Sequence, residues 1–344
     1  MRWLALLAWL LPGFAWAGGA APFYHEYKSW IIACDNRLGC EAKGLNTDDS
    51  DQQATIDFTR AGGAGGKAEL DIVYTAALGL DGLSLDGGPL KLGAGWTSAA
   101  QDGITTLRTT DLPAIRTFVQ AVRNGHEIEF PGQTAVKLDG FSAAMLKMDA
   151  IQGRVGTVTA LLNPGAKPAS DVPAPPALPL LPARRITATL APGEAAKLIA
   201  LANGKAAAAL RADECEADAA QAMPPEAHAL TAGKALVLLP CIMGAYQGSA
   251  LGFIVGRKDG SLTALHLPLP LPDDSDDTDL TSPDFDPATG RLSIFAKGRG
   301  IGDCGVAASW IWDGSRFVLA SLSFQDACGG ATADWPVLYQ TRGN

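Results

Sequence analysis

The sequence contains few of the residues and spacings that build catalytic or metal centres. Histidine occurs only four times in 344 residues, as His25, His126, His228 and His266. These histidines are scattered, and neither H-E-x-x-H nor a C-x2-C pair occurs, which excludes the usual zinc patterns. The serine-hydrolase pattern G-x-S-x-G is also absent. We therefore predict no catalytic residues, no resident metal and no cofactor-binding residues.

Positive charge is scarce as well. Lysine and arginine number 27 against 36 acidic residues, which gives a formal net charge of −9. An acidic protein repels phosphate backbones and anionic lipid surfaces, so nucleic acid is excluded as a partner class. Beyond the first seventeen residues, the chain has no apolar run of the roughly 18 residues that crossing a bilayer requires. No membrane span is expected in that part of the chain.

The first seventeen residues, MRWLALLAWLLPGFAWA, are apolar apart from Arg2. Pro12-Gly13 interrupts the apolar run, and Ala15-Trp16-Ala17 fits the small-x-small rule for signal peptidase. A membrane anchor is the alternative, but the run is short and broken by its proline. Residues 1–17 are predicted to be a signal peptide cleaved after Ala17, which implies export.

Six cysteines occur in the chain, and an even number favours disulfides in an exported protein. Six cysteines allow many connectivities, and the sequence alone does not choose rigorously among them. They fall, however, into three local pairs separated by wide gaps. We predict the pairings Cys34–Cys40, Cys215–Cys241 and Cys304–Cys328. The spacer in CDNRLGC is too long for the redox-active motif C-x-x-C.

Proline marks the middle of the chain, with seven prolines in residues 164–184. Such a stretch resists both sheet and helix and is typical of a semi-rigid linker. We therefore predict a first domain over 22–163, a Pro-rich linker over 164–184 and a second domain over 185–344. The 39 glycines and the short alternating segments favour an α+β, β-rich fold. Each domain is expected to be mostly antiparallel sheet with a few short helices.

Apolar spacing places three helices. One follows Asp111 and ends before Gly125, one runs from near Ser142 to Gly153, and one runs over 192–203 until Gly204 ends it. Alternating or short apolar runs predict the strands. These cover residues 30–34, 54–59, 68–74, 83–92, 127–130, 135–138, 157–162, 186–190, 235–241, 251–257 and 261–267. The clearest hairpin is SWIWDGSRFVLA, because its apolar residues alternate around an Asp-Gly pair.

Residues 300–305, GIGDCG, match the dinucleotide-binding pattern G-x-G-x-x-G. That pattern works only between a strand and a helix, because the helix N-terminus faces the pyrophosphate. The residues after Gly305, VAASWIWDG, predict a strand that enters a hairpin. We therefore interpret the stretch as a glycine turn held by Cys304. Lys297 and Arg299 beside it form a candidate site for a small anion.

Two further groups are weaker ligand-site candidates. Asp284 and Asp286 would share one strand face, as paired acid–base carboxylates do, although Asp-x-Asp-Pro is also common turn chemistry. Trp310 and Trp312 would also share a strand face, either as a sugar-stacking platform or, more commonly, as core residues. The carboxylates of residues 272–279, PDDSDDTD, lack the ordered spacing and glycine of an EF-hand loop. This acidic loop is expected to be solvated.

Three stretches carry a family resemblance. They are SWIIACDNRLGC, GFSAAMLKMDAIQGRVGTVTAL, and the terminal block DFDPATGRLSIFAKGRGIGDCG…WIWDGSRFVLA…C…DWP. Together they resemble an exported proteobacterial family of unknown function, DUF1176. The resemblance implies export and a β-sandwich-like first domain, and it supports Cys34–Cys40 and Cys304–Cys328 as structural bridges. It implies no catalytic residues.

The first half also resembles invasion-associated locus B proteins, more distantly. It shares their W-x-x-x-C-D opening, here Trp30 to Asp35, and a G-F-x-x-A-L-like second helix that here contains Met145-Leu146. The second cysteine pair of a locus B domain is missing from this sequence.

These observations favour a non-enzymatic periplasmic protein that acts by binding an envelope or protein partner. The alternative is an envelope hydrolase or carbohydrate-binding protein that uses Asp284, Asp286, Trp310 and Trp312. Burial separates the two, because a stacking platform must face solvent and a core tryptophan does not.

Overall fold

The structure is a computed structural model that describes residues 22–46, 51–271, 279–332 and 334–343. The signal peptide predicted over residues 1–17 lies outside the described residues. All but the last residue of the acidic loop 272–279 also lies outside them.

The first half consists mainly of strands, with two helices of eleven residues each. In chain order its elements are β1 (Phe23–Tyr27), β2 (Trp30–Cys34), β3 (Cys40–Leu45), β4 (Ala54–Arg60), β5 (Ala68–Tyr74), β6 (Leu83–Leu85), β7 (Gly88–Leu90), β8 (Thr97–Gln101), β9 (Ile104–Thr109), α1 (Leu112–Val122), β10 (Glu127–Glu129), β11 (Ala135–Lys137) and α2 (Phe141–Ile151). They build an antiparallel seven-stranded sheet in the order β1-β2-β3-β4-β5-β9-β8 and a four-stranded sheet in the order β11-β10-β6-β7.

Both sheets and both helices contribute to one hydrophobic core, and Trp30 is among its most deeply buried members. The Trp30 indole packs against Phe58 and Phe141, with ring centroids 6.0 and 4.8 Å away, and its Nε1–H donates to the carbonyl of Lys137. Gly44 on the neighbouring strand leaves room for this ring, since a Cβ there would lie 2.6 Å from it. The first half is therefore β-rich and two-sheeted, in agreement with the sequence prediction.

The second half carries two helices and ten strands among the described residues. Its elements are α3 (Glu194–Ala212), α4 (Ala219–Ala222), β12 (Glu226–Ala229), β13 (Lys234–Met243), β14 (Gly248–Gly256), β15 (Leu262–Ala264), β16 (Asp279–Thr281), β17 (Asp284–Asp286), β18 (Arg291–Lys297), β19 (Gly305–Trp312), β20 (Phe317–Gln325) and β21 (Val337–Gln340). One antiparallel sheet has the order β12-β13-β14-β15, with β16 also paired to β14. The other has the order β17-β18-β19-β20-β21.

Strand β13 is covered on both faces, which explains its uninterrupted apolar run ALVLL. Leu236 and Leu238 belong to the core that the two sheets of this half share. Val237 and Leu239 point the other way, into a second cluster built with α3. The sheet therefore lies between a helix and another sheet.

Three sequence predictions about secondary structure are wrong. Residues 157–162 form turns rather than a strand, because the Asp149 carboxylate accepts the N–H groups of Leu161 and Leu162. Residues 186–190 are not a strand, and the N–H of Ile186 instead donates to the carbonyl of Pro287, in the turn that follows β17. Helix α3 does not stop at residue 203 but continues through Gly204 to Ala212. The alanine-rich run after Gly204 has high helix propensity, which outweighs the roughly 1 kcal/mol cost of one glycine.

All three predicted disulfides are present. Cys34 is bonded to Cys40, Cys215 to Cys241 and Cys304 to Cys328, so that no cysteine is free. Each bridge joins residues of the same half of the chain. The pairing of neighbours in sequence is therefore confirmed.

The end of the chain lies against the first half. Asn36 donates to the carbonyl of Gln340 at 2.9 Å, and the N–H of Gln340 donates back to Asn36 Oδ1 at 3.1 Å. The buried Lys43 Nζ donates to the carbonyl of Asp334 at 2.5 Å. Ala33 of β2 belongs to the core of the second half. Strand β2 is therefore buried on both faces, and this explains its continuous sequence WIIAC.

The proline-rich stretch is in contact with both halves. Val172 is buried, and the Pro173 and Pro175 rings lie against glycines of the first half. Further along, the N–H groups of Leu181 and Ala183 donate to carbonyls of the C-terminal residues 342 and 343, each at 2.9 Å. The stretch thus runs along the molecule from one half to the other.

The start of α3 is tied to the sheet by one ion pair. Arg257 donates from Nε and Nη2 to the two carboxylate oxygens of Glu194, each at 2.7 Å, and Glu194 also accepts the N–H of Ala191. These hydrogen bonds, led by those from Arg257, lower the pKa of Glu194 to about 2. Because the pKa falls on folding, the carboxylate stabilises the native state above its ordinary pKa. This contribution is lost as pH drops towards 2.

We therefore expect Glu194→Gln to lower the free energy of unfolding at pH 7 and to have a shrinking effect between about pH 4.5 and pH 2. Chemical denaturation at a series of pH values measures this difference. Glu214→Gln is the matched control, because Glu214 is exposed just beyond α3 and has no ion pair among the described residues. A difference between wild type and Glu194→Gln that stays constant down to pH 2 would contradict the assignment.

Candidate functional site

The glycine turn at residues 298–304 connects two strands of the same sheet. Strand β18 ends at Lys297, and β19 begins at Gly305. The N–H of Gly298 donates to the carbonyl of Cys304 at 2.9 Å and closes the turn. A strand rather than a helix follows the glycines, as predicted, so the helix N-terminus that a dinucleotide site requires is not present behind this turn.

The positive charge of Arg299 is balanced by a carboxylate within the turn. Its Nε donates to both carboxylate oxygens of Asp303, at 2.8 and 3.0 Å, and Nη2 donates to the same group. Burial of Asp303 is the largest single influence and opposes ionisation, but the hydrogen bonds and charge of Arg299, together with backbone N–H groups, outweigh it, and the pKa of the carboxyl is lowered. An external anion at Arg299 would therefore compete with a charged internal partner.

Lys297 lies close to the same turn. Its side-chain carbons pass over Gly302, since a Cβ on that glycine would be 3.4 Å from Lys297 Cδ. The backbone N–H of Lys297 donates to Gln247 Oε1 at 2.9 Å. The structure thus brings Lys297 and Arg299 to one turn, as the sequence suggested.

The two tryptophans do not form a platform. Trp310 and Trp312 are each 2 % exposed and belong to the core between the two sheets of the second half. A sugar-stacking ring must present a face to solvent, so burial excludes that role for both residues. The core interpretation is the correct one.

The two aspartates flank the buried Phe285, but their surroundings differ. Asp284 is exposed, whereas Asp286 accepts hydrogen bonds from the Thr289 hydroxyl at 2.7 Å and the Ala288 N–H at 2.8 Å. These bonds, led by that from Thr289, lower the pKa of Asp286. A general acid or base works best with a pKa near the working pH, and this carboxylate moves the other way. The Asp286 carboxylate therefore stabilises the turn between β17 and β18.

A group of exposed apolar side chains around the glycine turn escaped the sequence reasoning. We call it the aromatic surface, and it consists of Tyr246, Phe295, Ile301 and Trp335. Tyr246 is 78 %, Ile301 74 % and Phe295 43 % exposed, and Trp335 is partly exposed. Phe295 stacks on Trp335 with ring centroids 4.9 Å apart and planes 12° from parallel.

Contacts with the turn hold the aromatic surface together. Trp335 Nε1 donates to the carbonyl of Gly302 at 3.2 Å. The Tyr246 ring lies over Gly300, where a Cβ would come within 2.9 Å of it. Tyr246 and Trp335 occur in GAYQG and ADWP, segments without alternation. Periodicity therefore gave no hint that their rings stay exposed.

Comparison with known proteins decides the family. The family described as "Protein of unknown function (DUF1176)" matches residues 24–342. The chain belongs to this DUF1176 family. The uncharacterized protein YpfG of Escherichia coli (strain K12) is 32 % identical over 340 residues, which cover 94 % of each chain. No solved structure is significantly similar to the chain.

Two further properties of this DUF1176 protein bear on its site. Asp303, Cys304 and Cys328 bring potential ligand atoms within 4.8 Å of one another, but both sulfurs belong to a disulfide and are not thiolates. Within the described ranges, none of its helices has the length and apolarity needed to cross a membrane.

Two polar neighbours of the aromatic surface in this DUF1176 protein, Gln247 and Arg299, are used internally. Gln247 donates from Nε2 to the carbonyl of Phe295 and to the hydroxyl of Ser282, and its Oε1 accepts the N–H of Lys297. Arg299 is paired with Asp303. What the surface offers to a ligand is therefore chiefly apolar area.

Proposed function

We propose that the protein is an exported, non-enzymatic binding protein of the periplasm whose partner is another protein that docks on the aromatic surface. One observation carries the proposal: large apolar side chains, Tyr246 and Ile301 above all, stand exposed around a rigid turn. Exposed apolar clusters of this kind mark interaction sites, and aromatic residues are enriched at the energetic centres of interfaces.

The rigidity of the turn favours binding. Cys304 is disulfide-bonded to Cys328, and Asp303 holds Arg299 within the turn. A surface that is already ordered loses little conformational entropy when a partner docks. The turn therefore presents Ile301 in a fixed position before any partner arrives.

The composition of the surface favours a protein partner over a glycan. A sugar needs polar side chains for its hydroxyl groups as well as a ring to stack on. Here the amide of Gln247 and the guanidinium of Arg299 are engaged internally. Ile301, an aliphatic side chain 74 % exposed, matches an apolar protein surface better than a sugar face. Nothing among the described residues favours the hydrolase or carbohydrate-binding alternative, since Trp310 and Trp312 are buried and the Asp286 carboxylate is bound within its own turn.

Export, the domain division and the more distant family relation belong to the same proposal. The signal-peptide pattern of residues 1–17 and the three disulfides both support a destination outside the reducing cytosol. The first half has a large core of its own, and the second half builds two further clusters that few residues of the first half, such as Ala33, join; this supports a first domain over 22–163 and a second over 185–344. The W-x-x-x-C-D stretch on β2 supports kinship of the first domain with locus B proteins.

The test compares variants of the surface. Tyr246→Ser combined with Ile301→Ser removes the two most exposed apolar groups and is expected to leave the fold intact, because neither side chain is buried. Proteins retained from periplasmic extract by the tagged wild-type chain are identified, purified and titrated against wild type and variant. We expect the double variant to bind the purified partner at least about tenfold more weakly.

The matched control is Val155→Ser combined with Val158→Ser, which removes two apolar side chains that are 54 % and 45 % exposed in the first half. It is expected to bind like wild type. Equal affinity of wild type and the Tyr246/Ile301 variant for every retained protein would overturn the proposal. The proposal would also be overturned if the wild-type chain retained glycan strands instead of protein and the Tyr246/Ile301 variant bound those strands more weakly.

A further inference from the structure

An open pocket of about 420 Å³ lies on the first half of the chain. It is built where β4, β5 and the start of α1 meet. Its lining residues are Arg60, Gly66, Lys67, Ala68, Glu69, Thr110 and Leu112. None of these residues belongs to the aromatic surface, so the pocket is independent of the proposed function.

Arg60 is the unusual member of this pocket. The residue is only 3 % exposed, yet its Nε and Nη1 have no hydrogen-bond partner among the described residues. A buried guanidinium without acceptors is costly, because it has lost water and gained nothing in return. Burial, reinforced by the charge of Arg154, lowers the pKa of Arg60 to about 10. The guanidinium nevertheless remains charged at neutral pH.

The neighbouring arginines cannot satisfy the donors of Arg60, because a guanidinium group carries N–H donors and no acceptor. Arg154 donates to the carbonyls of Ala61 and Gly63, and Arg116 donates to the carbonyl of Ala160. Both add positive charge near Arg60, and the one buried carboxylate beside them, Asp149, is bound to backbone N–H groups.

The mouth of the pocket adds to this imbalance. Lys67 is exposed at the pocket and has no ion pair among the residues described, whereas Glu69 lies within 3.4 Å of Arg108. Among the residues that line the pocket, two positive side chains, Arg60 and Lys67, therefore stand against one carboxylate, Glu69, although the whole chain carries −9.

We propose that this pocket binds a small oxyanion, the carboxylate or phosphate group of a small molecule, between Arg60 and Lys67. A guanidinium group donates charge-assisted hydrogen bonds to either oxyanion. Thr110 can add a hydroxyl donor, and the apolar wall of Ala68 and Leu112 suits the carbon body of such a molecule. The oxyanion supplies the negative partner that the buried guanidinium of Arg60 lacks in the folded chain.

Binding is tested on the full chain with two probes, inorganic phosphate and succinate, titrated separately. Calorimetry gives the affinities, and the Nε–H resonance of Arg60 in a nitrogen-labelled sample reports contact with the probe. We expect saturable binding of at least one probe with a shift of this resonance. Arg60→Gln is expected to weaken binding at least about tenfold, since a hydrogen bond to a charged group is lost. The exposed Lys67→Met is expected to weaken it about threefold.

Lys91→Met is the matched control, because Lys91 is an exposed lysine of the same half outside the pocket. Saturable binding that Lys67→Met weakens and Lys91→Met does not supports the site even if Arg60→Gln fails to fold. The proposal is overturned if neither probe binds saturably, if Lys91→Met weakens binding as much as Lys67→Met, or if the Arg60 resonance stays unmoved at saturation. None of these measurements tests binding at the aromatic surface, so this proposal and the proposed function can fail separately.

Discussion

Gly305→Ala is expected to destabilise the folded protein by about 4 kcal/mol, near the upper end for a single substitution. Gly305 adopts a φ of 143°, which residues with a side chain rarely adopt. An added Cβ would also lie 2.1 Å from the carbonyl oxygen of Ala296 and 2.9 Å from the Trp335 ring. Neither neighbour can move freely, since Ala296 belongs to the paired strand β18. Chemical denaturation of the two proteins measures the loss.

The other two glycines of the G-x-G-x-x-G match provide the controls. Gly302→Ala is expected to cost about 1 kcal/mol, because φ is +74° but the nearest atom to a Cβ is a flexible lysine carbon at 3.4 Å. Gly300→Ala is expected to cost under about 0.5 kcal/mol, since it meets only the exposed Tyr246 ring. A nucleotide site would instead require the glycines for ligand approach. If Gly305→Ala were as stable as Gly300→Ala, the scaffold interpretation of the turn would be wrong.

Removing the last disulfide, by Cys304→Ser with Cys328→Ser, is expected to lower the free energy of unfolding by about 3 kcal/mol. The bridge closes a loop whose ends are 24 residues apart, and its loss restores the entropy of that loop to the unfolded chain. The turn that carries Ile301 would also lose its covalent anchor. The measurement is denaturation under non-reducing conditions, with the other two bridges verified by mass spectrometry.

The first disulfide supplies a matched comparison. Cys34 and Cys40 are six residues apart and face each other directly across β2 and β3. A shorter loop holds less entropy, so Cys34→Ser with Cys40→Ser is expected to cost about 2 kcal/mol by the same reasoning. A larger loss for the short bridge than for the long one would show that strain or packing, rather than loop entropy, dominates.

Local patterns predicted much of the fold. The hairpin around Asp313-Gly314 is present because Asp313 accepts the N–H groups of Ser315 and Arg316 and Gly314 takes a positive φ. Disulfide pairing was also local. The errors arose where distant groups decide the outcome. The residues 157–162 have an apolar run, but a carboxylate on α2 takes up the backbone donors that a neighbouring strand would need.

The candidate site was predicted less well than the fold. Alternation correctly placed Trp310 and Trp312 on one face of a strand, but it does not say whether another sheet covers that face. Lys297 and Arg299 did meet at one turn, yet the carboxylate that compensates Arg299 was not recognised. The unpartnered donors of Arg60 were also invisible, because they follow from packing between segments far apart in sequence. Sequence patterns report periodicity and charge, whereas a binding site depends on which side chains remain exposed or unpaired after the whole chain has packed.

The hydrogen bonds between Asn36 and Gln340 join residues 304 positions apart in the chain. A polypeptide is synthesised from its amino end, so these N-terminal strands stay incomplete until the last residues of the chain have been made. The outer face of β2 is therefore uncovered until synthesis ends, and apolar residues such as Ile31 are exposed to chaperones or to misassembly in that interval. Deletion of a short C-terminal segment would thus uncover the outer face of β2, near the N-terminus.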